Sequence, residues 1–472
     1  MVAAYHWPAP WLPFPHQFRI SGFLSTHKRA FCLADLGTGK TISSIWAVDY
    51  LRSIGAIKRV LVVCPKSLLI GTWAKELLGS VVPTGTTYMV LNGDAAKRKV
   101  RAQTYADYHI INPDGLEIVY EELLANNYDV VIVDESTNFK NINRRWKFLN
   151  AIVAKVPRLW LMTGAPTPQS PMDAYGQIKL VRGAEWTMSE GAFKNLVMKQ
   201  EGPFKWVQRP EAPNIVYELM QPAVRIKKRD VLKDLPPIMD TFVEVELTSE
   251  QKAMLKELRK DQLTIQGAHT ITAVHGAALR LKLIQIASGI VYTDTREEMQ
   301  IPSAPRFNEL LRIFEEVRER DSGERMPNNK LLIFCAFVST ANMLYQQLSA
   351  AGKKVALISG AVSQGKRDAV FTGFNTTREY DAIVAVPDTM SHGLTLTAAS
   401  TIVWYTPIDK ADTYQQACGR IDRPGQLHSM EVVHLYASTA ERKLYENQKD
   451  MQAGQQGILA GYTELVNLIQ EN

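Results

Sequence analysis

The chain has 472 residues, about three times the ~150-residue size of a typical domain, so two or three lobes are expected and a small scaffold is excluded. Hydrophobic residues make up 46% and charged residues 22%, a balance that supplies packed cores and excludes a disordered chain. The 54 cations and 48 anions leave a net charge of +6, too mild at this length to indicate nucleic-acid binding by itself.

The opening stretch, MVAAYHWPAPWLPFPH, places prolines where a secretory signal needs an unbroken apolar helix, and it has no basic leader. The longest apolar runs, such as Val60–Cys64 and Leu331–Val338, fall far short of the ~18 residues of a membrane span. A cytoplasmic protein with no membrane partner is expected. Cys32, Cys64, Cys335 and Cys418 lie far apart with no C-x-x-C pair, which suits reduced core thiols better than a zinc ribbon or a disulfide framework. His109, His275 and His428 are equally isolated and read as structural.

Phe31-Cys32-Leu33 runs as a strand into Ala34-Asp35-Leu36-Gly37-Thr38-Gly39-Lys40-Thr41, and a helical pattern follows. Strand, glycine loop and helix together make a phosphate-binding loop. Gly37, Thr38 and Gly39 let backbone N–H groups turn onto a polyphosphate, Lys40 neutralises the outer phosphates, and Thr41 ligates Mg²⁺. Ala34 stands where the strict pattern has glycine. Further on, Val130–Val133 is an apolar strand ending in Asp134-Glu135-Ser136. A carboxylate pair at a strand end faces the nucleotide crevice of a parallel sheet, where Asp134 can hold the metal and Glu135 can orient or deprotonate a water. ATP and Mg²⁺ are the expected cofactors.

Apolar strands alternate with helical patterns twice, at Val60–Cys64, Val130–Val133 and Leu159–Met162, then at Leu331–Phe334, Val355–Ile358, Ala382–Val386 and Thr401–Trp404. The rhythm predicts an α/β protein with two parallel-sheet lobes. Lobe 1 is expected over 1–235 with a helical insertion at about 172–222, and lobe 2 over 236–472 with a helical insertion at about 249–306 and a closing helix. The boundary is placed at the cationic segment Arg225–Lys233, which runs into Leu235-Pro236-Pro237.

In order along nearly the whole chain, these segments resemble the superfamily 2 helicases, specifically the SWI/SNF-like branch of DNA-translocating ATPases with tandem RecA-like lobes. Phe14-Pro15-His16-Gln17 resembles the adenine-reading Q-motif, with Gln17 on the base. Val62 to Leu69, with Trp73, resembles motif Ia, implying DNA-backbone contacts at Lys66 and Ser67, and Ile111-Asn112-Pro113-Asp114 falls where motif Ib would. Leu161 to Pro168 is similar to motif III, with Thr163 and Gly164 in coupling, and Arg225 to Pro237 is similar to the branch's basic connector. Leu331 to Phe337 looks like motif IV. Ser391 to Ala399 looks like motif V, implying nucleotide contact at Gly393 and DNA contacts at Thr395 and Thr397. Gln415 to Gln426 resembles motif VI with its arginines, Arg420 and Arg423.

The arginines are three apart, so one helical turn would set both guanidiniums on one face, suited to charge developing in phosphoryl transfer. Two positions depart from the family pattern. Thr137 replaces the usual histidine of motif II and Ala165 a threonine of motif III, which bears on coupling more than on hydrolysis. The resemblance implies a DNA-dependent ATPase that moves along double-stranded DNA as a monomer, with single-stranded or branched DNA and RNA left open as tracks. A strand-separating or branch-migrating helicase and a nucleotide-dependent DNA-binding switch are the alternatives. No bromodomain, chromodomain or zinc module is recognised, which points to a minimal bacterial or bacteriophage member.

Overall fold

A computed structural model describes residues 5, 7, 12–82, 85–203, 205–266, 273–292, 297–319, 329–390 and 395–449. The chain divides into two compact units, the first reaching Lys233 and the second starting at Asp234. Each is built on a parallel sheet.

The first unit opens with helix α1 (Pro15–Thr26), strand β1 (Arg29–Ala34) and helix α2 (Lys40–Ser53). Strands β2 (Val60–Val63), β3 (Tyr88–Val90), β4 (Tyr108–Ile111), β5 (Val130–Asp134) and β6 (Arg158–Thr163) follow. A short hairpin of β7 (Met198–Gln200) and β8 (Trp206–Gln208) precedes β9 (Ala223–Ile226). The main sheet has the order β3-β4-β2-β5-β6-β1-β9, and every neighbouring pair is parallel. Its strands are apolar at successive positions because both faces are covered. Phe31, Leu33, Val131 and Val133 enter one core, while Ala30, Cys32, Val130 and Ile132 enter the other.

The second unit starts at β10 (Ile238–Glu244) and continues through the helices Ser249–Gln266 and Ala273–Ser288 and the hairpin of β11 (Ile290–Tyr292) and β12 (Glu298–Gln300). Then come the helix Ala304–Glu319, β13 (Lys330–Phe334), β14 (Val355–Ile358), β15 (Ala382–Ala385), β16 (Ala399–Trp404), the helix Ala411–Cys418 and β17 (Met430–Tyr436). The sheet order is β10-β17-β16-β13-β15-β14, again parallel throughout. The chain is helical from 439 to 449, and Glu441 there makes a buried ion pair of 2.7 Å with Arg306.

Two features add to the sequence reading. Each insertion carries an antiparallel hairpin besides its helices, and strands of three residues are too short to show a period. The insertion of the first unit is also no appendage, since Val181, Phe193, Val197 and Val216 complete one of that unit's cores. Among the described residues, no helix is long and apolar enough to cross a membrane.

Candidate functional site

Parallel strands give each sheet one carboxyl edge and one amino edge, and the first unit gathers its chemistry at the carboxyl edge. The loop after β1 carries Gly37, Thr38, Gly39, Lys40 and Thr41, and the loop after β5 carries Asp134 and Glu135. β6 lies between these two strands. In register, Leu33 faces Thr163 and Asp134 faces Met162, so the three strands end level.

Gly37 and Gly39 both sit at positive φ, 82° and 81°, where any side chain is strained. A Cβ on Gly39 would also collide with the Gln17 amide nitrogen, so glycine lets the Q-motif lie directly on the loop. His16 supports it through a 3.0 Å bond to the Thr38 carbonyl. Lys40 is buried and donates to the Ala34 carbonyl at 2.8 Å, a neutral acceptor that an anionic phosphate outcompetes. The first N–H groups of α2 have no partner within their helix and, with its dipole, suit an anion. Asp35 anchors the loop from the other side, pairing with Arg225 at 2.6 Å and accepting from the Lys228 N–H at 2.9 Å. The basic connector therefore begins as β9, an edge strand on β1, and its first arginine is 6% exposed.

Asp134 is buried, accepts the Trp73 indole N–H at 3.0 Å and accepts the Glu135 N–H at 3.1 Å. Burial first, then the neighbouring Glu135, push its carboxyl up to about 6, against the pull of Lys40 and of Trp73. The donor set fits a divalent metal carried with a nucleotide, because the Thr41 hydroxyl and the Asp134 carboxylate are hard oxygens and a cation would relieve the crowded carboxylates. The sequence places Trp73 with motif Ia, and its bond to Asp134 has no signal there beyond sequence position. Thr163 accepts the Ala165 N–H at 3.0 Å. A Cβ on Gly164 would stand 3.2 Å from the Ala34 carbonyl, so motif III packs on the phosphate loop. Lys66 is exposed and Ser67 half-buried in the segment after β2, on the same edge.

The second unit carries its candidates on the opposite edge. Arg420 and Arg423 lie between the helix Ala411–Cys418 and β17, and Thr395 and Thr397 precede β16. The Leu396 N–H donates to the Arg420 carbonyl at 3.0 Å and Gln426 Nε2 to the Ala399 carbonyl at 2.9 Å, so the two segments are adjacent. The expected helical turn for the arginines is corrected: the helix stops at Cys418 with Gly419 as its cap, and the pair sits on successive turns before Pro424. Arg423 Nε instead donates to the Gly419 carbonyl at 3.1 Å. Both arginines are buried, and Thr395 is exposed. Gly393, expected at the nucleotide, lies outside the described residues.

A level glycine loop and carboxylate pair on a parallel sheet, followed by a second parallel lobe, define an ATP-binding protein of the helicase type with RecA-like lobes. Family models agree in both parts, an SNF2-related domain over residues 24–290 and a helicase conserved C-terminal domain over 306–425. The chain belongs to the SNF2-related family. It is 26% identical over 307 residues, 60% of its length, to "Putative protein p41" of Acyrthosiphon pisum secondary endosymbiont phage 1, and spans 65% of that protein. To "Putative ATP-dependent helicase/translocase YwqA" of Bacillus subtilis (strain 168) it is 24% identical over 92% of its own length, but it spans 46% of that relative. Among solved structures it is similar to a Sulfolobus solfataricus SWI2/SNF2 ATPase core in complex with dsDNA, with 21% identity, a TM-score of 0.45, and 94% of this chain and 92% of that chain covered.

Proposed function

We propose that this chain is a DNA-dependent ATPase that hydrolyses ATP with Mg²⁺ and uses the cycle to move along double-stranded DNA. The observation that carries the reading is the placement of Lys40, Asp134 and Glu135 together at one sheet edge, with Asp134 buried and its carboxyl pushed up by Glu135 and pulled down by Lys40. Gln17 reads the adenine edge. Gly37, Thr38 and Gly39 hold the phosphates, and Lys40 leaves the Ala34 carbonyl to neutralise them. Thr41 and Asp134 hold Mg²⁺, which supplies charge neutralisation on the phosphate oxygens. Glu135 orients the attacking water and takes its proton.

Arg420 and Arg423 of lobe 2 act as fixed, always-charged guanidiniums that stabilise charge on the transferred phosphoryl group. Gly393 is the nucleotide contact that the family resemblance implies. Thr163 and Gly164 pass the state of the phosphate loop to the DNA grip, a role supported by the packing of Gly164 on Ala34. Lys66, Ser67, Thr395 and Thr397 grip phosphates rather than bases, so affinity falls steeply with salt and varies little with sequence. The test compares ATP turnover with duplex DNA, single-stranded DNA, forked DNA and RNA at matched salt, beside displacement of a third strand from a triplex. Duplex stimulation with triplex displacement is expected. Strong fork unwinding without triplex displacement would replace translocation with strand separation, and equal activity on RNA duplex would remove the DNA assignment.

A further inference from the structure

Glu135 has φ 53° and ψ 57°, a left-handed conformation that is strained for a residue with a Cβ and persists only where its surroundings hold it. Part of the restraint is local: Asp134 Oδ1 accepts the Glu135 N–H at 3.1 Å, and the Glu135 carbonyl accepts from the Asn138 side chain at 2.9 Å. Another part comes from a different element. Ser136 Oγ donates to Gln177 Oε1 at 2.7 Å, and Gln177 Nε2 donates to the Pro166 and Asp173 carbonyls, both at 2.8 Å.

The orientation of that amide follows from its partners. Carbonyls only accept, so the nitrogen must face Pro166 and Asp173, and the oxygen is left for the Ser136 hydroxyl. Gln177 and Ser136 are both fully buried, where an amide is costly unless it is satisfied. The helix Tyr175–Arg182 comes close enough because its second residue is Gly176, where a Cβ would lie 2.5 Å from the carbonyl oxygens of Phe139 and Lys140. A second tie runs beside the first. Lys140 pairs with Asp173 at 3.3 Å, and Asp173 Oδ2 accepts the Gln169 N–H at 2.8 Å. The loop of Asp134 and Glu135 is thus joined to the turn beyond Thr163 through a helix that follows both.

We propose that Gln177 is a positioning residue for hydrolysis, its buried amide locking the backbone that aims Glu135 to the turn at Pro166 so that neither moves without the other. The proposal rests on the reading of Glu135 as the residue that activates water. An apolar side chain of the same length fills the same volume but cannot hold two loops in register, so the amide's contribution is to aim rather than to stability alone.

The test uses the full chain, with Gln177→Met, Ser136→Ala and the double variant, measuring kcat and KM for ATP, affinity for a fluorescent ATP analogue and the thermal melt. Misaiming a catalytic group from a distance costs up to about 100-fold, so Gln177→Met should lower kcat by about 10- to 100-fold while KM and analogue affinity change less than about threefold. Ser136→Ala should lower kcat by less, and the double variant should be no slower than Gln177→Met, because both act through one bond. Wild-type kcat in folded Gln177→Met, a rise in KM with kcat unchanged, or losses that multiply in the double variant would each overturn the proposal. If Gln177→Met does not fold, Ser136→Ala decides, and an unchanged kcat there overturns it. A wild-type chain with no ATP turnover overturns the function itself, and is told apart because the defect then precedes any substitution.

Discussion

The two lobes use the same architecture and opposite ends of it. Lobe 1 places Lys40, Asp134 and Glu135 where parallel strands end, the usual site for ligands on such sheets. Lobe 2 places Arg420, Arg423, Thr395 and Thr397 where its strands begin. Around the lobe 1 loops, side chains bind side chains and backbone from several elements, as in Asp35–Arg225, Trp73–Asp134 and Ser136–Gln177. In lobe 2, Arg423 Nε is held by the carbonyl of Gly419, four residues away on the same turns. On the proposed reading, a metal-and-water site needs its groups aimed before substrate arrives, while the lobe 2 arginines have only to present their charge. The contrast predicts that substitutions in lobe 1 split into those that bind and those that aim, while the lobe 2 arginines act on turnover alone.

The largest effect expected is from Arg423→Ala. Removal of an arginine finger costs about 10³-fold or more in turnover, and nucleotide binding to lobe 1 should survive. ATPase rate and analogue affinity measured on one preparation check this, and turnover near wild type would remove Arg423 from the hydrolytic machinery. Next is Lys40→Ala, with a loss of at least about 100-fold and an unchanged melt, since the lysine's bond in the fold is to a single carbonyl. Glu135→Gln should hydrolyse poorly yet keep binding ATP. If it fails to bind nucleotide, Glu135 is structural and the division of labour in lobe 1 is wrong.

The sequence showed the strands built on unbroken apolar runs. β2, β5, β6 and β13 to β16 could be read from Val130–Val133 and its counterparts because burial on both faces keeps each run apolar and leaves polar residues such as Arg158, Lys330 and Thr401 to the strand ends or their neighbours. The phosphate loop and the carboxylates were legible for a related reason, since glycine at positive φ and acids at a strand end have few substitutes. β9 was not, because Arg225 made Ala223–Ile226 look like part of a cationic linker until its pairing with Asp35 buried the charge. The arginine pair misled through spacing. Three residues apart fits a helical turn, but Gly419 ends the helix first. Trp73 and Gln177 lie 61 and 41 residues from their partners, a relation no local pattern carries.

Trp73→Phe sharpens the lobe 1 side of the comparison. It keeps an aromatic ring in the buried position and removes one donor from Asp134. A hydrogen bond to a charged group is worth about 1.5–3 kcal/mol, so the half-saturating Mg²⁺ concentration for ATP turnover should rise by about tenfold or more. A Mg²⁺ titration that superimposes on wild type would show that the indole serves packing alone.

The smallest effect concerns stability, and it tests whether the lobes also differ in how they keep buried rings neutral. Among the described residues, each has a buried histidine bonded to a tyrosine: His109 with Tyr128 at 2.6 Å in lobe 1, and His434 with Tyr414 at 2.7 Å in lobe 2. Burial lowers both to about 4, helped by the charge of Arg59 at His109 and of Lys449 at His434. A native ring that stays neutral while the unfolded chain's histidine takes a proton below its usual value near 6.5 makes stability fall as pH drops from 6.5 towards 4. The slope is about 1.4 kcal/mol per pH unit for each ring, or roughly 3–5 °C in the melt of a domain this size. His109→Gln should flatten that slope, because it removes the group that binds a proton only when unfolded. His434 faces Asp240 at 4.0 Å, which favours the protonated ring, and Lys449, which opposes it, while His109 has only the repelling Arg59 among its charged influences. Both rings nevertheless fall to about 4, so the flattening should be of similar size for His434→Gln. Thermal melts from pH 7 to 4.5 on the two variants measure this, and a clearly smaller flattening for His434→Gln would mean that Asp240 outweighs Lys449 at that ring.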